Sequence, residues 1–180
     1  MTIEGLDSLL KKLNNLSINA NEVVKKGVAN ATKKVQGDAK DLAPVNYGQL
    51  RNGIVTDVKE EVGEVIGEIS ATAEHSAYVE FGTGPVGRAS PKDLPPGIEP
   101  QYREGMWWIH ESQIDPAIAE QYHFIKIETK DGVFYGTYGQ AAQPYLYPAM
   151  KQNEEYIKES IAASVRMEIK KGDWCVWYKT

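Results

Sequence analysis

Residues 77–84 read Ala-Tyr-Val-Glu-Phe-Gly-Thr-Gly, and this stretch decides the fold. It places aromatic and aliphatic side chains directly before two glycines, and it contains no serine, cysteine or histidine that would act as a nucleophile or base. The large apolar area comes from three residues: Tyr78, Val79 and Phe81. Gly82 and Gly84 permit backbone angles or close approaches that a Cβ atom would forbid. The stretch therefore predicts a packing corner of the fold, with Tyr78, Val79 and Phe81 filling the space beneath it.

The length and charge of the chain limit its class. A chain of 180 residues suits one hydrophobic core, so we expect a single domain over residues 1–180. The formal net charge of −5, from 25 acidic and 20 basic residues, argues against a broad surface for binding nucleic acid. Lysine doublets in the N-terminal half are expected to form a solvated helix face: Lys11-Lys12, Lys25-Lys26 and Lys33-Lys34.

Cysteine content and hydropathy bear on the compartment. The single cysteine, Cys175, allows no disulfide within the chain and no metal site built from cysteines. The N-terminal residues lack an apolar signal core, and no stretch approaches the ~18 apolar residues of a membrane span. We therefore expect a soluble protein that is made in a cytoplasm, with no membrane partner and no cofactor.

Apolar residues at spacings of three and four predict three helices. A short one covers residues 6–16, after which two asparagines loosen it. The second ends before Pro44, and its apolar stripe is Val24, Val28, Ala31, Val35, Ala39 and Leu42. The last begins near Pro148, since proline suits a first helical turn, and is expected to stop at Gly172. Residues 172–180 then form an aromatic C-terminal tail.

Alternating apolar residues predict two antiparallel hairpins. The first joins residues 54–59 to 62–70 near Glu60 and Glu61. The second joins residues 122–129 to 133–138 through the dipeptide Asp131-Gly132, which suits a tight turn. We expect an α+β fold in which two long helices pack on an antiparallel sheet built from both hairpins. The short N-terminal helix and the C-terminal tail are peripheral to it.

Residues 85–120 are rich in proline and glycine, and they predict a long ordered loop inserted into the domain, without helix or strand. The loop carries Trp107 and Trp108, which water solvates poorly. Two alternatives are open for this pair: the indoles fold back on the core, or they contact a partner.

Catalytic and metal-binding patterns are weak. The acidic residues Glu61, Glu64 and Glu68 are expected on the wet face of the first hairpin, where charge discourages stray strand pairing, although a metal-binding cluster is the alternative. The histidines are isolated from one another: His75, His110 and His123. Two classes of function therefore remain. The protein works through surfaces, or it is a small hydrolase or nuclease-like toxin that uses His110 with Glu111 or Asp115.

Three blocks of sequence together resemble a known family, the minor tail-component or neck proteins of long-tailed, HK-type bacteriophages. Residues 42–54, Leu-Ala-Pro-Val-Asn-Tyr-Gly-Gln-Leu-Arg-Asn-Gly-Ile, are similar to the family's L-A-P-V-D-T-G-x-L-R-x-S-I. Residues 78–84 match its Y-V-E-F-G-T block, and residues 143–149 resemble its x-P-F-L-R-P-A block. Asn46, Tyr47 and Gly53 depart from the family pattern. The positions that carry the resemblance are Leu42, Pro44, Gly48, Leu50, Tyr78, Val79, Glu80, Phe81, Gly82, Thr83, Gly84, Pro144, Leu146 and Pro148.

This resemblance implies a structural protein that joins the phage head to the tail or completes the tail. It implies a ring of identical subunits, with DNA only as passing cargo and with head-closure, tail-terminator or tail-tube proteins as neighbours. The implied location is the head-to-tail junction of the virion, after a stay in the host cytoplasm before assembly. No catalysis is implied, and Trp107 and Trp108 are the expected interface residues.

Overall fold

The computed structural model describes the backbone of residues 6–45 and 48–174, and the side chains of residues 20–45 and 48–170. Its mixture of helices and antiparallel sheets confirms the expected mixed class. The helices are α1 (Leu6–Leu42), α2 (Gln49–Asn52), α3 (Ser76–Phe81), α4 (Gly84–Ala89), α5 (Pro116–Gln121), α6 (Leu146–Gln152) and α7 (Glu154–Trp174). The strands are β1 (Ile54–Glu61), β2 (Glu64–Ala71), β3 (Trp107–His110), β4 (Ile125–Thr129) and β5 (Gly132–Thr137).

The chain forms two compact units. One contains residues 1–73 and 148–180, and the other contains residues 74–147. We call them the helical unit and the sheet unit. Within the described residues, none of the helices combines the length and apolar character that crossing a bilayer requires.

The helical unit is built on α1, which corrects the expected short first helix. Residues 6–42 form one continuous helix, because two asparagines lower helix propensity without the chain break that a proline imposes. The helix ends before Pro44, as predicted. Among residues 20–42 of this helix, the buried ones are Val23, Gly27, Val28, Ala31, Thr32, Val35 and Ala39. Leu42, expected on this stripe, is largely exposed, and the neighbouring Ala43 is buried instead.

The C-terminal helix is interrupted near its start. Pro148 lies in the first turn of α6, as predicted. The helix breaks at Asn153. The side-chain amide of this residue donates to the Ala149 carbonyl at 2.8 Å and to Asp38 Oδ2 at 2.6 Å. The expected stop at Gly172 is wrong, since α7 continues to Trp174. The rest of the predicted aromatic tail, from Cys175 onward, lies outside the described residues.

Helices α1 and α7 approach each other closely at Gly27. A Cβ atom on this glycine would lie 2.9 Å from the Cα atom of Ile161 and 3.1 Å from Ser164 Oγ. The Ser160 hydroxyl donates to the Gly27 carbonyl at 3.3 Å across the same crossing. The glycine is therefore required for packing at this point, although it weakens the helix intrinsically.

Gly27→Ala is expected to lower the free energy of unfolding by about 1–3 kcal/mol, because the added methyl group meets backbone that cannot rotate away. The matched control is Gly37→Ala in the same helix, where a Cβ atom would have no neighbour within 4 Å. That change is expected to raise the free energy of unfolding by about 0.5–1 kcal/mol through helix propensity alone. Urea unfolding followed by circular dichroism measures both. Two stabilised variants would contradict the close crossing.

The first hairpin packs one face against α1. Its strands pair from Ile54 opposite Ala71 to Glu61 opposite Glu64, so the turn lies at Val62 and Gly63 and not at the expected glutamates. Gly63 takes a φ of +86° there, which a glycine adopts without strain. On the inner face, a Cβ atom at Gly67 would lie 2.8 Å from Val28 Cγ1 and closer still to the Thr32 hydroxyl.

The sheet unit corrects two further expectations. The two hairpins do not share a sheet, since β1 and β2 form one sheet while β3, β5 and β4 form another in that order. The region 85–120 is not a plain loop, because it contributes part of α4 together with β3 and α5. Strand β3 pairs with β5 from Trp107 opposite Thr137 to His110 opposite Phe134. The second hairpin forms as expected, but its first strand begins at Ile125 and not at residue 122, and its turn lies at Lys130 and Asp131, so Gly132 pairs with Thr129 and is not in the turn.

Candidate interaction surface

The buried centre of the Tyr78–Gly84 motif is its charged residue. Glu80 lies in α3 and is 5% exposed. Its carboxylate accepts three backbone N–H groups: Tyr145 at 2.7 Å, Leu146 at 3.0 Å and Tyr147 at 3.0 Å. These groups open α6, whose first N–H groups have no partner within the helix. Glu80 therefore joins the second and third sequence blocks.

Tyr145 lies against this carboxylate and is fully buried. Burial, with the nearby negative charge of Glu80 as a second cause, raises the pKa of Tyr145 to about 12. The phenol therefore stays neutral at physiological pH. The three hydrogen bonds to the buried Glu80 carboxylate anchor the start of α6 to the motif.

Gly82 and Gly84 have the backbone role that the sequence predicts. Their φ angles are +75° and +61°. A Cβ atom at Gly82 would lie 2.7 Å from the backbone of Ala142, and one at Gly84 would lie closer than that to the Tyr138 carbonyl. Between them, Thr83 bonds Gln140 twice: its N–H donates to the Gln140 carbonyl, and its hydroxyl accepts the Gln140 N–H. The motif and residues 138–142 pass each other so closely that neither Gly82 nor Gly84 has room for a side chain.

The expected aromatic filling is partly wrong. Tyr78 is exposed, whereas Val79 and Phe81 are half-buried, because α3 turns the charged residue of the run inward. The Phe81 carbonyl accepts the Tyr102 hydroxyl at 3.0 Å, and the Val79 carbonyl accepts the Gln143 N–H at 2.8 Å. Sequence reasoning missed the role of Glu80. A lone carboxylate inside an aromatic run is the signal that would have pointed to it, since buried charge requires partners.

The two adjacent tryptophans lie on opposite faces of β3, because successive side chains of a strand alternate. Trp107 pairs with the buried Thr137 and lies against Gly84, where a Cβ atom would be 2.9 Å from its ring. The Arg103 guanidinium stacks over the same ring at 5.4 Å. Trp108 points the other way and is 45% exposed. Trp107 therefore packs within the sheet unit, in line with the first alternative, whereas contact with a partner stays a prediction for Trp108.

Trp108 lies in a continuous apolar face of the three-stranded sheet. The register places Trp108, Gly136 and Ile125 in one row across the strands, and His110, Phe134 and Ile127 in the next. The Trp108 ring lies over Gly136, where a Cβ atom would be 2.7 Å from the ring. The same Cβ atom would be 2.8 Å from the sulfur of Met106, so both side chains cover this glycine. We call this the outer apolar face: Met106, Trp108, Ile125, Ile127, Phe134 and Gly136. Ile125 and Ile127 are 48% and 38% exposed, so the face is uncovered in the described chain.

The candidate catalytic groups serve local structure. His110 Nδ1 lies 2.8 Å from Ser112 Oγ, and its ring packs edge-on against Phe134. Glu111 accepts the Val133 N–H at 3.1 Å, and Asp115 caps α5 through the Ala117 N–H at 2.9 Å. Their hydrogen bonds hold turns and a helix end, and nothing in this geometry supports the hydrolase alternative.

The acidic hairpin residues lie where the sequence places them. Glu61, Glu64 and Glu68 are all exposed, and Glu68 pairs across the strands with Lys59. Among the side chains that the structure describes, no group of three or more His, Cys, Asp or Glu residues is placed to hold a metal ion.

Comparison with known proteins yields a family match over part of the chain. The model of a family described as "Bacteriophage HK97-gp10, putative tail-component" matches residues 7–82. No curated protein and no solved structure matches the chain. The matched range contains the block at residues 42–54 and ends at Gly82, inside the second block, so the resemblance is confirmed there. The block at residues 143–149 lies outside it. The match supports a structural phage tail component, located in the virion.

Proposed function

We propose, on the premise that residues 7–82 belong to the phage tail-component family, that this protein joins the head to the tail or completes the tail during virion assembly. It acts as a ring of identical subunits at the head-to-tail junction. Head-closure, tail-terminator or tail-tube proteins are its neighbours there. The function is mechanical, so its chemistry is that of surfaces and not of a reacting centre.

The observation that carries this proposal is the outer apolar face around Trp108. A tryptophan that is 45% exposed and two exposed isoleucines on the same face of the sheet form an apolar patch of the kind that marks interaction surfaces. Tryptophan is also enriched among the residues that dominate binding energy. A ring needs one patch to meet a different patch on the next copy, and the outer apolar face supplies the first of these.

The charge of the chain fits DNA as passing cargo. The net charge of −5 repels a polyanion, so a duplex moving through a ring of such subunits would be held weakly. The exposed glutamates of the first hairpin are part of this negative charge, and they disfavour binding of nucleic acid.

Trp108→Ser is expected to abolish joining of heads to tails while the isolated protein keeps its fold. The reason is that the exposed indole contributes to an interface and little to the folded core. Trp107→Ser is the matched comparison, and it is expected to lower the free energy of unfolding by about 2–4 kcal/mol, because it removes the ring packed on Gly84. Complementation of a phage that lacks the gene measures joining, and thermal unfolding measures stability.

A third variant, Tyr78→Ser, controls for the loss of any exposed aromatic group. Tyr78 is more exposed than Trp108 but lies outside the outer apolar face. It is expected to leave joining intact. If the Trp108→Ser variant joins heads to tails normally, the outer apolar face is not part of the joining interface. Locating the chain in the particle by gold labelling of an affinity tag tests the function itself, with label at the neck as the expected result.

A further inference from the structure

We infer that two copies of this chain associate by antiparallel pairing of their β4 strands about a two-fold axis at Ile127. The pairing uses the open edge of the sheet, at which the outer apolar face of the proposed ring ends. It stands whether or not the protein acts at the head-to-tail junction.

Strand β4 is an open edge of the three-stranded sheet. The sheet order β3-β5-β4 places β4 at one side, and its five residues are all exposed. In the described chain no other strand pairs with it. A strand edge presents unpaired N–H and C=O groups, which form a template for a further strand. This edge also carries Ile125 and Ile127, and leaving their apolar side chains exposed to water costs free energy.

The charges along β4 are complementary when two copies of the strand pair with each other. In an antiparallel pair centred on Ile127, each residue faces the one equally far beyond the centre. Ile127 then faces the partner's Ile127, and Lys126 faces the partner's Glu128. Two-fold symmetry repeats the charge pair on the other side of the axis. Opposite charges directly across two strands stabilise the pairing.

The pairing also makes the outer apolar face continuous between the two copies. The existing register puts His110, Phe134 and Ile127 in one row. Pairing about Ile127 extends this row through the partner's Ile127 and Phe134. Apolar side chains in adjacent cross-strand positions contact one another, so the row gains burial at the axis where it now ends.

The lysine on this edge does not oppose the inference. Edge lysines commonly prevent stray pairing, since a facing strand must bury or repel the charge. Here Lys126 Nζ already lies 2.9 Å from Glu128 Oε1 of its own strand. Self-pairing offers each lysine a second carboxylate and each carboxylate a second lysine. A foreign strand without this pattern would still be rejected, which makes the edge selective for its own copy.

Charge reversal tests the pairing in sedimentation equilibrium on the purified chain. The wild type is expected to dimerise. Lys126→Glu and Glu128→Lys should each weaken dimerisation about tenfold, because each change turns two attractive pairs into two repulsive ones. The double variant Lys126→Glu/Glu128→Lys restores both opposite-charge pairs, and it should recover dimerisation to within about threefold of the wild type.

Lys59→Glu is the matched control. Lys59 pairs across strands with Glu68 in the other sheet, so this variant makes the same charge change away from β4. It should leave dimerisation unchanged. Circular dichroism should show all variants folded, since the altered side chains are exposed. A monomeric wild type, equal dissociation constants for the single variants and the wild type, or a double variant as weak as the single ones would overturn the inference.

Discussion

Glu80→Ala is expected to destabilise the sheet unit by about 3–5 kcal/mol, because three hydrogen bonds to a charged acceptor are lost at about 1.5–3 kcal/mol each and the loss is partly offset by no longer burying a charge. The substitution leaves the N–H groups of Tyr145, Leu146 and Tyr147 without their acceptor at the start of α6. It also removes the contact that holds this helix start against α3. Amide hydrogen exchange in β5 measures the effect, since exchange of a buried strand reports opening of the whole unit.

Two controls separate the role of the carboxylate from general effects. Glu80→Gln keeps an acceptor oxygen but replaces the other with a donor, so we expect a loss of about half that of alanine. Glu99→Ala removes an exposed carboxylate of the same unit and is expected to change stability by less than about 0.5 kcal/mol. Equal protection of β5 in Glu80→Ala and Glu99→Ala would show that the buried carboxylate does not organise this unit.

Gly84→Ala is expected to cost about 3 kcal/mol or more, from left-handed backbone strain of about 1–2 kcal/mol together with overpacking. The φ of Gly84 is +61°, and its Cβ atom would press on the Tyr138 carbonyl and lie 2.9 Å from the Trp107 ring. Those neighbours are themselves fixed by β3 and by the end of β5. Hydrogen exchange of β5 again measures the change.

Gly97→Ala isolates the strain from the close approach. Gly97 has a φ of +79°, and a Cβ atom there would have no neighbour within 4 Å. Its substitution is expected to cost about 1 kcal/mol from backbone strain alone. If Gly84→Ala and Gly97→Ala lower the free energy of unfolding by the same amount, the close contacts of Gly84 with Tyr138 and Trp107 are not what requires a glycine there.

Local patterns predicted much of the helical unit. The stripe from Val28 to Ala39 and the end of α1 before Pro44 follow from spacing and proline geometry, which act within a few residues. The first hairpin follows from alternation in the same way. The break at Asn153 depends on Asp38, 115 positions away in the chain, and no local pattern reveals such a contact.

The sheet unit was harder to predict because its order depends on distant pairing. Strand β3 has only four residues, lies in a proline-rich region and gains its strand character from β5. Glu80 bonds backbone groups 65 to 67 positions further along the chain. Its neighbours in sequence are apolar, so local reasoning favoured Tyr78, Val79 and Phe81 as the residues that fill the core. The motif was identified correctly as a corner, but its charged member holds that corner together.

The same distant pairing separates the two tryptophans. The two residues are identical and adjacent, so the local sequence predicts the same environment for both. Only the knowledge that they lie in a strand places their side chains on opposite faces. The candidate interaction surface thus became one residue, Trp108, together with apolar residues from β4 and β5 that sequence reasoning had assigned only to a hairpin.

Electron microscopy of particles made with and without this chain tests the proposed function most directly. Deletion of its gene from the phage that encodes it should leave filled heads and finished tails separate, and adding the purified protein to that lysate should join them. The Trp108→Ser protein should fail in the same assay. Normal tailed particles in the absence of the chain would contradict a role at the head-to-tail junction.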